Sequence, residues 1–290
     1  MNWHFRTIGM GTINYRKAAT RLAREVGSTG LFESSFGSNE EFLRNRSKEF
    51  WKNHEEILKA RVPGFGWWIW KPEFIRVCLE DIPKGDGLFY LDSGSSVSRG
   101  ENALSEISKM LELAQERSVV AAHGQTFLEL NYSSSELMNL LNLSEAHRNS
   151  PQHYAGFLLT LNDDKGNGLV QNWCRLACAN QHEYLFPSSR SAADLELIHH
   201  MYDQAILSSL IKSNGLTSIE IGDKENMGAV RVIRHRYAYG VDEKSSTVVF
   251  FYKLIGFASK VRLAIEHRIF RDSLSKRPLD HAIQGSSDYD

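Results

Sequence analysis

Asp92 ends the apolar run Leu88-Phe89-Tyr90-Leu91 and is followed by Ser93-Gly94-Ser95. A carboxylate at the carboxyl end of a buried-type strand sits where open α/β sheets bind their ligands, and Gly94 lets the backbone come close to one. The same position equally suits a cap on the turn or on the next helix. Lys71 closes the block Gly64-Phe65-Gly66-Trp67-Trp68-Ile69-Trp70, which packs three of the chain's six tryptophans into four residues. The indoles suit a hydrophobic corner under the sheet. A compact ammonium against that wall suits a diphosphate or, alternatively, a surface salt bridge. The third cluster is His199-His200-Met201-Tyr202-Asp203-Gln204. If helical, it places at least one histidine on the face of Asp203, a constellation for acid–base work, a metal or sugar hydroxyls. Arg21 is a further candidate for nucleotide phosphates, set against a plain surface role.

The elements that must position these groups alternate. Residues 4–8 read as a strand that enters the turn Gly9-Met10-Gly11-Thr12 and a helix over 15–26, the opening of a nucleotide-binding unit. Helical spacing follows over 39–60. It returns over 73–79, with Pro72 placed at a first helical position. Residues 88–91, 118–122 and 154–161 have strand character, and 102–116, 169–179 and 194–212 have helical character. This alternation predicts an α/β fold: a Rossmann-like mixed sheet with helices on both faces. The tail differs. Residues 250–277 read as one amphipathic helix rich in lysine and arginine. We therefore divide the chain into a main α/β domain, 1–249, and a C-terminal segment, 250–290, of basic helix that ends in a disordered stretch.

The 290 residues carry 34 Lys and Arg against 35 Asp and Glu, a net charge of -1. That balance argues against a nucleic-acid partner, which calls for a basic excess. Three cysteines, Cys78, Cys174 and Cys178, form no disulfide framework and predict a reducing compartment. Cys174 and Cys178 lie four apart and are read as packing, since no second pair completes a zinc site. The N-terminus lacks the basic start and apolar run of a signal peptide, and no run of about 20 apolar residues predicts a spanning helix. These features predict a cytoplasmic protein. The basic tail adds a peripheral position at the inner face of a membrane, or simple packing on the domain with its charges in solvent.

Three words in order, Gly64-Phe65-Gly66-Trp67-Trp68-Ile69-Trp70-Lys71-Pro72, then Gly85-Asp86 with Tyr90-Leu91-Asp92-Ser93-Gly94, then Asp203-Gln204-Ala205-Ile206-Leu207 with His200 before it, resemble a family of bacterial glycosyltransferase-like proteins. That family's usual pattern is GYGYWIWKP, GDILLYLDAG and HRHDQSIL. The resemblance spans roughly 5–215, and the family is similar to the family 8 glycosyltransferases of the glycosyltransferase A fold. It implies transfer of a sugar from a nucleotide-diphosphate donor to a saccharide or lipid-linked acceptor in surface polysaccharide synthesis. It assigns Asp203 and Gln204 as catalytic, and Lys71, Asp92, Ser93, Gly94 and Gly156 to the donor, Gly156 through the small-residue strand word Ala155-Gly156-Phe157-Leu158, while Arg21 joins the donor set as the separate phosphate candidate named above. Asp92 and His200 become ligands of a divalent cation, Mn or Mg, and retention of anomeric configuration is favoured. Met201 and Tyr202 depart from the pattern's arginine and second histidine. Gly94 stands where the Asp-x-Asp motif has its second carboxylate. A protein of this fold that binds a sugar nucleotide without turning it over is the alternative reading.

Overall fold

The structure is a computed structural model that describes residues 1–60, 62, 64–98, 100–187, 193–221 and 228–231. The expected boundary at 249/250 and the basic helix over 250–277 lie outside the described residues. In chain order the elements begin β1 (Trp3–Gly9), α1 (Ile13–Gly27), β2 (Ser34–Asn39), α2 (Glu40–Arg46), α3 (Lys48–Asn53) and α4 (Glu55–Lys59). A tight turn, α5 (Gly64–Trp67), leads into α6 (Trp70–Glu80), β3 (Gly87–Leu91), β4 (Ser96–Val97), α7 (Glu101–Arg117) and β5 (Val119–Leu128). Then come α8 (Glu129–Tyr132), α9 (Ser135–Leu140), α10 (Glu145–Arg148), β6 (Pro151–Leu161) and α11 (Asp164–Cys178). The last are α12 (Tyr202–Ser213), β7 (Thr217–Glu220) and β8 (Val230–Arg231).

Six strands form one sheet in the order β2-β1-β3-β6-β5-β7, and β4 pairs with β8. β1 runs parallel to β2 and β3, and β5 runs parallel to β7. β6 alone is reversed, antiparallel to both of its neighbours. The central strands are apolar on both faces, as a sheet covered on both sides requires. Their period of two divides the core. Phe89, Phe157 and Leu159 pack on one side with Leu22 and Val26 of α1 and Ile107 and Leu111 of α7. Leu88, Tyr90 and Leu158 face the other side, against Phe74 and Ile75 of α6, Trp173 of α11 and Leu207 of α12. The expected mixed α/β sheet with helices on both faces is therefore observed, and the three cysteines are free thiols. Among the described residues no helix is long and apolar enough to cross a membrane.

Three readings of the sequence change. The helical stretch over 39–60 is three short helices, because Ser47 and His54 leave helical geometry at φ -132° and φ -114°. α6 starts at Trp70, before Pro72, which still falls in the first turn where no backbone N–H has an intrahelical acceptor. The segment expected to be helical from 194 becomes helical only at Tyr202. The backbone N–H groups of Ile198 and His199 donate to the carbonyl of Asn131, and that of Met201 donates to Tyr132. Those acceptors on α8 replace the i−4 carbonyls a helix would have supplied.

Trp173 is fully buried, and its indole Nε1 donates to the carbonyl oxygen of Asp203 at 3.1 Å. It thus ties α11 to the start of α12. Trp173→Ala should lower stability by about 3–5 kcal/mol in urea unfolding, with the m-value unchanged. A loss below about 1 kcal/mol would show that the two helices do not depend on this side chain.

Candidate functional site

Residues 90 and 92 of an extended chain point to the same side, so Asp92 emerges beside Tyr90, on the face covered by α6 and α12. The Tyr90 hydroxyl donates to Asp92 Oδ1 at 2.6 Å. The Asp92 N–H donates to the Gly156 carbonyl at 3.0 Å, and the Ser95 N–H closes the turn on the Asp92 carbonyl at 2.8 Å. Gly156 is where the sheet makes room for the carboxylate. A Cβ there would lie 3.0 Å from Asp92 Oδ2 and 3.2 Å from its Cγ. Ser93 is buried and Gly94 half-buried on the following turn.

Lys71 reaches the same point from the first turn of α6. Its Nζ lies 3.2 Å from Asp92 Oδ1 and 2.9 Å from Asp203 Oδ2. The ammonium and the Asp203 carboxylate have side-chain exposures of only 3% and 5%, whereas Asp92 retains 36%. Among the described residues, Asp203 Oδ2 has no donor near it other than the Lys71 ammonium. Burial works to lower the Lys71 ammonium, but the carboxylates of Asp203 and Asp92 outweigh it, and its pKa is raised. Burial also pushes the Asp203 carboxyl up, against the pull of Lys71, and the charge of Asp92 adds to the rise, to about 6. The Tyr90 phenol is raised by burial and then by Asp92, so it stays a donor at neutral pH.

The backbone leading into both buried charges is strained. Gly64, Phe65, Gly66, Trp67 and Trp68 all have positive φ, between 51° and 87°, and Tyr202 has φ 49°. Left-handed geometry costs an L-residue roughly 1–2 kcal/mol, and such strain gathers at functional sites. The tryptophans hold it in place. Trp67 stacks on Phe186 at 4.1 Å, Trp68 leans on Tyr202 at 5.6 Å, and the Trp70 indole donates to the Gly64 carbonyl at 2.7 Å. A side chain at Gly64 would enter the ring of Trp68. The tryptophan block is thus the expected hydrophobic corner, and it aims Lys71.

Two candidates take other parts. Arg21 is buried and ion-paired with Glu25 at 2.8 Å, and its Nη2 donates to the carbonyls of Ser93 and Ser95 at 3.1 and 2.7 Å. It grips the turn after Asp92 from behind, so we correct its assignment from phosphate binding to support of that turn. His200 is not on α12. Its Nδ1 accepts from the Ser134 N–H at 3.1 Å, and its Nε2 donates to the Tyr184 carbonyl at 3.0 Å. Burial lowers its pKa to about 4. With both ring nitrogens committed to backbone, the neutral imidazole has no lone pair for a metal, which corrects its assignment as a ligand. Among the described residues no group of three or more His, Cys, Asp or Glu is disposed to hold a metal ion. Of the two expected ligands only Asp92 keeps an open edge on which a cation could rest.

Sequence reasoning missed Tyr90, which it read only as strand, although the spacing to Asp92 carried the signal. It also missed a buried ion pair between Glu129 and Lys212, at 2.7 Å, joined to Gln204 through Gln152.

No protein-family model and no curated protein sequence matches the chain. Among solved structures it is similar to mouse xyloside xylosyltransferase 1 in its apo form, with TM-score 0.41 and 9% identity over 76% of this chain and 85% of that one. It is also similar to core-mannan synthase A from Aspergillus fumigatus in a Mn/GDP form, with TM-score 0.35 and 6% identity over 76% of this chain and 72% of that one.

The raised Asp203 carboxyl fixes a sign. Its proton is held more tightly in the folded state than at the ordinary value of 3.8, so its contribution to stability is complete below 3.8 and is lost as pH rises through about 6. The stability of the wild type minus that of Asp203→Asn should fall across this window and level off above it, measured by urea unfolding at stepped pH. A difference that stays flat throughout would contradict the buried, proton-retaining carboxyl.

Proposed function

We propose that the chain is a nucleotide-sugar-dependent glycosyltransferase with a glycosyltransferase A-like fold. One observation carries the reading. Lys71, Asp92 and Asp203 come from three distant words of the sequence and meet within 3.3 Å at the carboxyl end of a central parallel strand. That is where doubly wound sheets bind ligands. Three ionisable groups so placed have no purpose in packing alone, since apolar side chains of similar volume would serve stability as well or better.

The proposed roles follow from exposure. Asp92, the open member, meets the donor first, with the turn at Ser93 and Gly94 beside it and Gly156 leaving it room. The fixed charge of Lys71 lies behind it and opposes the negative charge that grows on the departing phosphate. Asp203 and Gln204, on the first turn of α12, hold hydroxyls and face the reacting carbon. The bond from the anomeric carbon to the phosphate oxygen breaks, and its electron pair leaves with the diphosphate. The acceptor oxygen forms the new bond to that carbon and passes its proton to the departing phosphate. A divalent cation on Asp92, Mn or Mg, would neutralise charge on the leaving group when bound. Retention belongs to this proposal, and an inverted product in an anomeric NMR assay would remove it. A saccharide acceptor suits the reading, and a lipid-linked acceptor at the membrane would depend on residues 250–277.

A second reading, a sugar-nucleotide-binding protein without turnover, is favoured by Gly94 in place of a carboxylate and by the committed His200. One set of measurements separates them. UDP, GDP and their sugars, with and without Mn²⁺, should raise the melting temperature of the wild type. Asp92→Ala should abolish that shift. Asp203→Asn should keep it while losing about 100-fold or more in sugar transfer. A melting shift with no transfer or hydrolysis in the wild type supports the second reading. The absence of any shift rejects both.

A further inference from the structure

α8 begins with Glu129, which has no exposed surface and lies 2.7 Å from Lys212 Nζ. The ammonium also donates to the carbonyls of His147 and Ser150, at 3.1 and 3.2 Å. Among the described residues, its hydrogen-bond partners are all donors. The hydroxyls of Ser133 and Ser208 bond to it, Ser209 Oγ lies 3.5 Å away, and Gln152 Nε2 lies 3.2 Å away. A carboxylate can only accept, so it draws the NH₂ end of Gln152 toward itself. That NH₂ also lies 3.1 Å from Ser133 Oγ and 3.3 Å from the Tyr132 carbonyl, so its two hydrogens are shared among three acceptors. The amide oxygen of Gln152 must then face away, where it accepts from Gln204 Nε2 at 2.7 Å. Gln204 is thereby held with its NH₂ end turned to Gln152, one N–H bonded there, and its Oε1 has no partner among the described residues.

We infer that Glu129 and Gln152 are positioning residues, which fix Gln204 so that its amide oxygen, and not its NH₂, is offered to the ligand. The inference rests on the transferase reading above. A buried ion pair adds little net stability, whereas a polar network with every member satisfied specifies one arrangement. Here the specified quantity is the direction of one dipole. An amide oxygen facing an electron-poor anomeric carbon, or accepting from a hydroxyl, favours the transition state, and an NH₂ in its place opposes it.

Gln152→Met keeps the volume and removes the bond. It should lower kcat for sugar transfer about tenfold to a hundredfold while KM for the donor stays within about twofold, as expected when a reacting group is misaligned. In a Gln204→Met background the same change should add nothing further, because the two side chains act through one contact. In NMR of the wild type, the Gln204 side-chain NH₂ should be protected from exchange, and that protection should be lost in Gln152→Met. An unchanged kcat, additive losses in the double variant, or fast exchange of that NH₂ in the wild type would each overturn the inference. The last is read without any variant. Absence of turnover in the wild type would reject the transferase reading and the inference with it. A protected Gln204 NH₂ with turnover and an unaffected Gln152→Met would reject the inference alone.

Discussion

An ammonium sealed between two carboxylates is tolerable only when all three are held at hydrogen-bonding range, and this condition governs the structure around Lys71. Desolvating each charge costs several kcal/mol, and the mutual attraction offsets that only with good geometry and satisfied lone pairs. The surroundings supply such geometry. Tyr90 donates to Asp92 from two residues back on the same strand face, and Gly156 leaves the carboxylate its space. Trp173 anchors the backbone at Asp203. The Oδ2 atom of Asp203 is sealed from solvent and, among the described residues, has only the Lys71 ammonium beside it.

The same condition accounts for the strain. α6 begins so that Lys71 points inward, and the chain reaches that start through five consecutive left-handed residues. Stacking of Trp67 on Phe186 and contact of Trp68 with Tyr202 join this turn to the strained residue that precedes Asp203. The two halves of the charge cluster are therefore braced against each other through aromatic rings as well as through the charges. Arg21 adds a third brace by gripping the turn beyond Asp92. Rigid surroundings with a single open carboxylate are what a preorganised binding site requires.

Much of this was legible in the sequence. The apolar runs over 88–91 and 154–161 could only be buried strands, and they are β3 and most of β6. The strand β2, Ser-Ser-Phe-Gly-Ser-Asn, was invisible because its extended form comes from pairing with β1 and not from its own residues. Lys71, Asp92 and Asp203 stood out through rare neighbours and strand position, and they do meet. His200 was misread because the carbonyls of Asn131 and Tyr132, some 70 residues earlier, capture the backbone that would have been helix. Arg21 was read near the right place but with the wrong partner, since carbonyl acceptors leave no mark on composition. The pairing of Glu129 with Lys212 joins residues 83 apart with no local pattern, so only the fold shows it.

The most direct test of the central claim is NMR of the Lys71 ammonium while UDP and then GDP are added to the wild-type protein. A buried, doubly paired ammonium exchanges its protons slowly, so its resonance should be visible at neutral pH and should move as the nucleotide saturates. A Lys71 signal lost to fast exchange, like that of a surface lysine, or one that stays fixed while nucleotide binding shifts other resonances, would contradict the account.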